Sequence, residues 1–77
     1  MNYSTLKEIR DKNPFQPFTM HVSDGRNAHI PHPDFLAFSP DKHTVIAFTQ
    51  EGGARLLDIT QITELDMSRP GRRKPAN

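Results

Sequence analysis

Three histidines in the first half of the chain are the side chains whose type and spacing could bind a metal. His29 and His32 are three residues apart, Asp34 follows them, and His21 lies on the other side of the Asp24-Gly25 turn. Imidazole and carboxylate groups are good zinc ligands. Because alternate residues of a strand point to opposite faces, His29 and His32 converge only if the chain turns between them. We therefore expect surface or turn histidines, with His29 and His32 as the two metal candidates, and we expect no cofactor.

The other polar residues form no catalytic arrangement. The chain has no cysteine, its acidic residues are scattered, and no serine has the flanking residues that a nucleophile needs. Asp24 and Asp41 stand where turns favour aspartate, because its side chain bonds to nearby backbone. Gly52-Gly53 lacks the lysine and the following helix of a phosphate-binding loop. We expect a protein that is not an enzyme.

Charge is divided unequally along the chain. Residues 1–67 carry nine acidic and six basic side chains, a net charge of −3, whereas the last ten residues carry four basic side chains and no acidic one. Clustered cations neutralise phosphates and give a salt-sensitive affinity for nucleic acid. A solubilising end is the alternative interpretation. We predict that residues 68–77 are a disordered basic tail, and that the candidates for binding nucleic acid are Arg69, Arg72, Arg73 and Lys74.

Size and composition predict one small domain with a marginal core. A chain of 77 residues buries a small fraction of its surface. The absence of cysteine excludes disulfides and thiolate metal sites, which favours oligomerisation as the source of further stability. No segment approaches the roughly 20 apolar residues of a membrane span, and Met1–Arg10 lacks the apolar run of a signal peptide. We expect a cytoplasmic homo-oligomer that does not contact a membrane.

The elements that position these residues are a helix and a series of short strands. A helix is predicted over Asn2–Asn13, with Thr5 and Glu8 as a capping box and Pro14 as its stop. Period-2 apolar alternation then predicts strands joined by tight turns at Asp24-Gly25 and at Glu51-Gly52-Gly53. Buried apolar positions are expected for the phenylalanines, and Arg26 and Arg55 are expected to be solvated because both adjoin turns. The segments read as extended are 18–23, 28–30, 35–38, 44–49, 54–59 and 62–67.

This order of elements predicts a mostly β fold with one N-terminal α-helix. Residues 1–67 are expected to form a small, strongly bent antiparallel sheet or barrel of about five strands. Pro31 and Pro33 cannot donate to a ladder, so they end the second strand or place it at an edge. The regular, proline-free strands 44–49 and 54–59 are the candidates for edges that pair with another copy.

Two resemblances follow from these residues. The runs PFQPFTMHVSDGR and IPHPDFLAFSP, followed by TVIAF and LLDITQITELD, resemble a family of small uncharacterised bacterial proteins with the same helix-then-strands layout. The resemblance covers the chain through Met67 and implies no activity.

The second resemblance is to the Sm-like barrel of the bacterial host-factor RNA chaperone. It comes from a helix at Thr5–Lys12, a strand that ends at Asp24-Gly25, and a last strand entered after a one-turn break. The resemblance implies a ring built by edge-strand pairing and a function in RNA binding. Two departures stand out: the second strand is cut short at Pro31, and the chaperone's Lys-His pair is replaced by Leu57-Asp58-Ile59, so no RNA-binding residue is carried over.

Together these observations favour a non-enzymatic small β-barrel module that self-associates through edge strands and binds RNA or another nucleic acid with its basic tail. The alternative is a protein–protein interaction or scaffold module with no nucleic-acid function. The acidic net charge of residues 1–67 favours this alternative, because nucleic-acid-binding domains usually present a basic face.

Overall fold

The structure is a computed structural model that describes residues 1–67. It is mostly β with one N-terminal helix, as the sequence predicts. The helix precedes six strands, and single-turn 3₁₀ segments come before the third and the sixth strand. The elements are α1 Tyr3–Asp11, β1 Phe18–Val22, β2 Asn27–Ile30, the 3₁₀ turn Pro33–Phe35, β3 Leu36–Phe38, β4 Thr44–Phe48, β5 Ala54–Asp58, the 3₁₀ turn Ile59–Gln61 and β6 Ile62–Asp66.

The described strands form two antiparallel three-stranded sheets and do not close into a barrel. The first sheet has the order β2-β1-β6 and the second has the order β3-β4-β5. The prediction of one bent sheet or barrel of about five strands is therefore wrong in its closure, because six short strands are divided between two sheets. The reason lies at Pro31 and Pro33, where the chain leaves β2, makes the 3₁₀ turn and enters the other sheet as β3. Proline has no N–H to give to a ladder, so one continuous strand cannot pass through this point.

Helix α1 begins one residue later and ends two residues earlier than the sequence predicts. Its cap is Asn2, whose side chain accepts a hydrogen bond from the Thr5 N–H at 2.8 Å, so the expected capping box of Thr5 and Glu8 is replaced by an asparagine cap. Lys12 is already extended, and the Asn13–Pro14 peptide that follows is cis. Nine residues are too few for a stable isolated helix. The fully buried side chain of Leu6 docks α1 on the sheets.

The core lies between the two sheets and the helix. In β1 the side chains alternate between buried and half-buried positions, and Phe18, Met20 and Val22 point inward. Phe18 is among the largest fully buried side chains, which confirms its expected position, whereas Phe48 is 40% exposed and is not a core residue. The buried set is Leu6, Phe18, Met20, Val22, Ala28, Ile30, Leu36, Val45, Ala47, Leu57, Ile59 and Ile62.

Both predicted hairpin turns are present and share one hydrogen-bond pattern. The N–H of Gly25 donates to the Val22 carbonyl, and the N–H of Val22 donates to the Arg26 carbonyl. In the β4–β5 hairpin, the N–H of Gly52 donates to the Thr49 carbonyl, and the N–H of Thr49 donates to the Gly53 carbonyl. Each turn requires positive φ at its glycine, 94° at Gly25 and 99° at Gly52, and L side chains rarely adopt this conformation.

The two strands predicted to be edges have different positions in the second sheet. β4 pairs with β3 on one side and β5 on the other, so it is central and the prediction for 44–49 is wrong. β5 pairs with β4 alone, which confirms an edge at 54–58. The sequence of β4 has the apolar, β-branched character of any interior strand, and its regularity comes from this central position.

The turn between β3 and β4 depends on an aspartate. The Ser39 hydroxyl and the His43 N–H both donate to Asp41 Oδ1, at 2.5 Å and 2.9 Å. The Ser39 hydroxyl, followed by the His43 N–H, holds the pKa of the Asp41 carboxyl below its ordinary value. Donors aimed at a carboxylate favour its charged form, so this turn is most stable with Asp41 ionised.

Acid should therefore weaken the fold, and Asp41→Asn should reduce that sensitivity. The folded-state pKa of Asp41 lies below its unfolded value, so the unfolded chain takes up the proton first as the pH falls. The stabilisation is present above about pH 4, the ordinary value for Asp, and is lost as the pH falls through the folded pKa. Asparagine keeps an oxygen acceptor without titrating. Melting temperatures between about pH 6 and pH 3 should fall less steeply for the variant, and parallel curves would contradict this assignment.

Candidate interaction surface

The outer face of the first sheet is polar. Cross-strand neighbours on this face are Thr19 with His29 and His21 with Glu64. The hydroxyl of Thr19 and Nδ1 of His29 are 3.0 Å apart, and Nε2 of His21 is 3.9 Å from a carboxylate oxygen of Asp66. Polar side chains of this kind are ordinary on a solvated sheet face. This face therefore gives no sign of a covered surface.

The outer face of the second sheet is apolar in its centre. Register places Ile46 between Ala37 on β3 and Leu56 on β5, so these three side chains form one row. Phe48 and Ala54 form the neighbouring row. Leu56 is 70% exposed. Among residues 1–67, Leu56 and Phe48 are the large hydrophobic residues that are exposed. We call the four residues Ile46, Phe48, Ala54 and Leu56 the β5 surface. Contiguous exposed apolar side chains of this kind mark interaction sites.

The backbone of β5 has an open hydrogen-bonding edge beside this surface. The Thr49 N–H bonds to the Gly53 carbonyl at one end of the β4–β5 ladder, and the Ile59 N–H bonds to the His43 carbonyl at the other. Hydrogen-bonded pairs alternate along an antiparallel ladder. The register between these ends therefore makes Ile46–Leu56 a non-hydrogen-bonded pair, with the N–H and C=O of Leu56 directed away from β4. The N–H groups of Ala54 and Asp58 point the same way.

Donors from within the chain bond to backbone carbonyls on the other three outer strands. Nη1 of Arg10 donates to the Leu36 carbonyl on β3 at 3.2 Å. Nη1 of Arg55 donates to the Asn27 carbonyl on β2 at 2.8 Å. The Met1 nitrogen donates to the Ile62 carbonyl of β6 at 3.1 Å.

A fourth such bond lies just beyond β6, where the Gln16 side chain donates to the Met67 carbonyl at 3.1 Å. Within residues 1–67, the Leu56 carbonyl of β5 has no comparable donor from the chain. Exposed strand edges can pair with other chains, so β5 is the outer strand best suited to pair with a partner.

Asp58 places a charge at one end of the open edge. Its Oδ1 accepts hydrogen bonds from the hydroxyl and the N–H of Thr60, at 2.8 Å and 2.9 Å. The Thr60 hydroxyl, then the Thr60 N–H, lowers the pKa of the Asp58 carboxyl. Asp58 therefore ends β5, caps the 3₁₀ turn Ile59–Gln61 and carries a negative charge at neutral pH.

Arg55 connects the two sheets, in contrast to the solvated side chain expected from its place beside a turn. Arg55 is half-buried, and its hydrogen bond to the Asn27 carbonyl joins β5 of the second sheet to β2 of the first. The other terminal nitrogen, Nη2, is buried without a hydrogen-bond partner. Arg55 also borders a groove of about 180 Å³ between β2 and the β4–β5 hairpin. Its position indicates a structural role.

The two metal candidates have local contacts. His29 lies on β2 and its ring contacts Thr19. His32 caps the turn Pro33–Phe35, where its Nδ1 accepts the Asp34 N–H at 3.1 Å and lies 3.7 Å from the Asp34 carboxylate. In the described range 1–67, no group of three or more His, Asp or Glu side chains is placed to hold a metal ion.

The predicted nucleic-acid-binding residues lie outside the described residues. Arg69, Arg72, Arg73 and Lys74 all belong to residues 68–77. They therefore stay sequence-based candidates.

Sequence reasoning did not identify Leu56 as a surface residue, although a signal was present. Leu56 and Leu57 are adjacent in β5, and successive side chains of a strand point to opposite faces. One of the two leucines must therefore leave the core of a sheet that is covered on one side. The structure buries Leu57 and exposes Leu56.

Comparison with protein-family models, curated proteins and solved structures finds no match for this chain. Among residues 1–67, no helix is long and apolar enough to span a membrane.

Replacing Arg55 by alanine should destabilise the fold, because it removes a half-buried side chain and the charged donor that bonds the Asn27 carbonyl of the other sheet. We expect a loss of about 1–3 kcal/mol in the free energy of unfolding, measured by urea denaturation. Arg26→Ala is the matched control, since Arg26 is exposed and its ion pair with Asp24 lies at the surface. A loss of under about 1 kcal/mol is expected there. Equal losses for the two variants would show that the Arg55 bond does not connect the sheets.

Proposed function

We propose that this chain is a non-enzymatic interaction module that self-associates through an exposed strand edge. The observation that carries the proposal is Leu56, 70% exposed on a strand whose outer backbone edge is open. An apolar side chain and unpaired backbone groups at the same place favour pairing with another polypeptide.

The small size of the domain supports self-association. Among residues 1–67 the apolar core contains twelve buried residues, one of them on the helix, and the sequence has no cysteine for a disulfide. Domains of this size commonly obtain further stability from oligomerisation. A partner that covered Leu56 and Phe48 would bury two apolar side chains that are exposed in the isolated chain.

The order of elements supports a relation to the Sm-like layout. A helix comes first, the first and last strands pair with each other, and a 3₁₀ turn at Ile59–Gln61 precedes the last strand. The break between β2 and β3 at Pro31 and Pro33 is the main departure. Sm-like proteins assemble through their edge strands, so this relation and the β5 surface favour the same kind of function.

Self-association predicts a solution mass above that of one chain. Light scattering of the purified protein should give a multiple of 8.8 kDa at high concentration and dissociation on dilution. A closed ring of five to seven copies would favour the Sm-like arrangement, and a dimer would favour the interaction module. A mass of one chain from micromolar to millimolar concentration would refute the proposal.

Nucleic-acid binding is the second candidate function, favoured by the division of charge. The last ten residues hold Arg69, Arg72, Arg73 and Lys74 without an acidic residue, whereas residues 1–67 have a net charge of −3. The acidic domain itself would repel phosphates, so the tail would supply the attraction. RNA is the preferred class because of the Sm-like layout, and an assembly would present several tails to one strand.

This second candidate predicts RNA affinity that depends on the tail and on salt. Fluorescence anisotropy with a labelled single-stranded RNA should show binding at low salt that is lost on truncation after Met67. If all four cations contact phosphates, the logarithm of the binding constant should fall with the logarithm of salt concentration with a slope of about −3. Unchanged affinity after truncation would show that the tail does not supply the attraction, and no binding at low salt would leave only the protein–protein function.

A further inference from the structure

We propose that the partner of β5 is β5 of a second copy, paired antiparallel about a two-fold axis at Leu56. The inference rests on the proposed self-association and adds the edge, the partner and the register. The result is one six-stranded sheet with the order β3-β4-β5 followed by β5-β4-β3 of the second copy.

Backbone geometry selects this register. Leu56 has its N–H and C=O on the open side of β5, and Ala54 and Asp58 share this direction because they are two residues away. A two-fold axis at Leu56 places Leu56 opposite Leu56 and Ala54 opposite Asp58 of the second copy. The two leucines then exchange both of their backbone hydrogen bonds, and each Asp58 N–H donates to an Ala54 carbonyl.

Side chains agree with the same register. Ala54, Leu56 and Asp58 are the exposed positions of β5, and all three lie on the outer face of the sheet. The row of Ala37, Ile46 and Leu56 continues across the axis into the same row of the second copy, so each Leu56 covers the other. Each Asp58 faces an alanine, and no like charges stand directly opposite each other. A shift of two residues in either direction shortens the overlap of the strands.

The other edges are less suited to receive β5. Pairing with β6 would compete with the Met1 nitrogen for the Ile62 carbonyl, and with the Gln16 side chain at Met67. On β3, Arg10 already donates to the Leu36 carbonyl. On β2, Arg55 already donates to the Asn27 carbonyl. Pairing of β5 with itself leaves all these bonds intact. A two-fold contact also closes on itself and produces a dimer rather than a filament.

Cysteine substitution tests the register, because the chain contains no native cysteine. Hydrogen-bonded partners have Cα atoms about 5.5 Å apart, within the roughly 4.4–6.8 Å that a disulfide spans. Leu56→Cys should therefore form a disulfide-linked dimer on mild oxidation. Ala54→Cys alone should not, because its two copies would be separated by four residues, about 14 Å along the strands. A mixture of the Ala54→Cys and Asp58→Cys proteins should form the mixed disulfide.

Leu56→Glu tests the interface without altering the core, since Leu56 is exposed. Two carboxylates would meet at the axis, and like charges directly opposite each other destabilise strand pairing. The mass should fall from twice 8.8 kDa to 8.8 kDa, with an unchanged circular dichroism spectrum. Asn27→Glu, at an exposed position of the outer strand β2, is the control and should stay dimeric.

The outcomes separate this inference from the proposed function. If the unmodified chain is a monomer at every concentration, both fail. If it assembles while Leu56→Glu assembles equally well and Leu56→Cys forms no disulfide, self-association stands and pairing through β5 is overturned. A ring of more than two copies would also overturn the two-fold register. A Leu56→Cys disulfide together with a monomeric Leu56→Glu protein would establish it.

Discussion

Two prolines that are two residues apart determine most of this architecture. Neither Pro31 nor Pro33 can donate to a ladder, so the chain cannot run as one long strand from Asn27 to Phe38. It makes a 3₁₀ turn and enters a second sheet. A single curved sheet that closes on itself has no edges, whereas two three-stranded sheets have four. Groups from inside the chain bond to some of these edges and leave others open.

On three of the edges one backbone carbonyl is bonded from inside the chain, each by a different group. Arg10 on the helix serves β3, Arg55 on β5 serves β2, and the Met1 nitrogen serves β6. Each donor also joins parts of the molecule that are distant in sequence. The bonds therefore stabilise the arrangement of helix and sheets while they protect a strand. The β5 edge stands apart because its exposed residues, Leu56 above all, suit a partner better than they suit water.

Local patterns predicted the elements well, and the predictions failed where long-range contacts decide the outcome. Alternation found β1, β-branched and aromatic composition found β4, and glycine chemistry found both hairpins at Gly25 and Gly52. Closure of the sheet could not be predicted, because it depends on the path taken after Pro33. The prediction that β4 is an edge strand was wrong, because the regularity of a strand does not indicate how many neighbouring strands it has. Arg55 appeared solvated because its acceptor, the Asn27 carbonyl, is 28 residues away in sequence.

The bond between Arg10 and the Leu36 carbonyl has a consequence for growth. A dimer joined through β5 would present β3 as the outermost strand at both ends of its six-stranded sheet. Further copies could add there, strand upon strand, and produce a fibre of the cross-β kind. The guanidinium of Arg10 occupies the Leu36 carbonyl, and its positive charge lies over the Phe38 ring at 4.9 Å. In such a dimer the Arg10 side chain of the helix would oppose further addition of strands at β3.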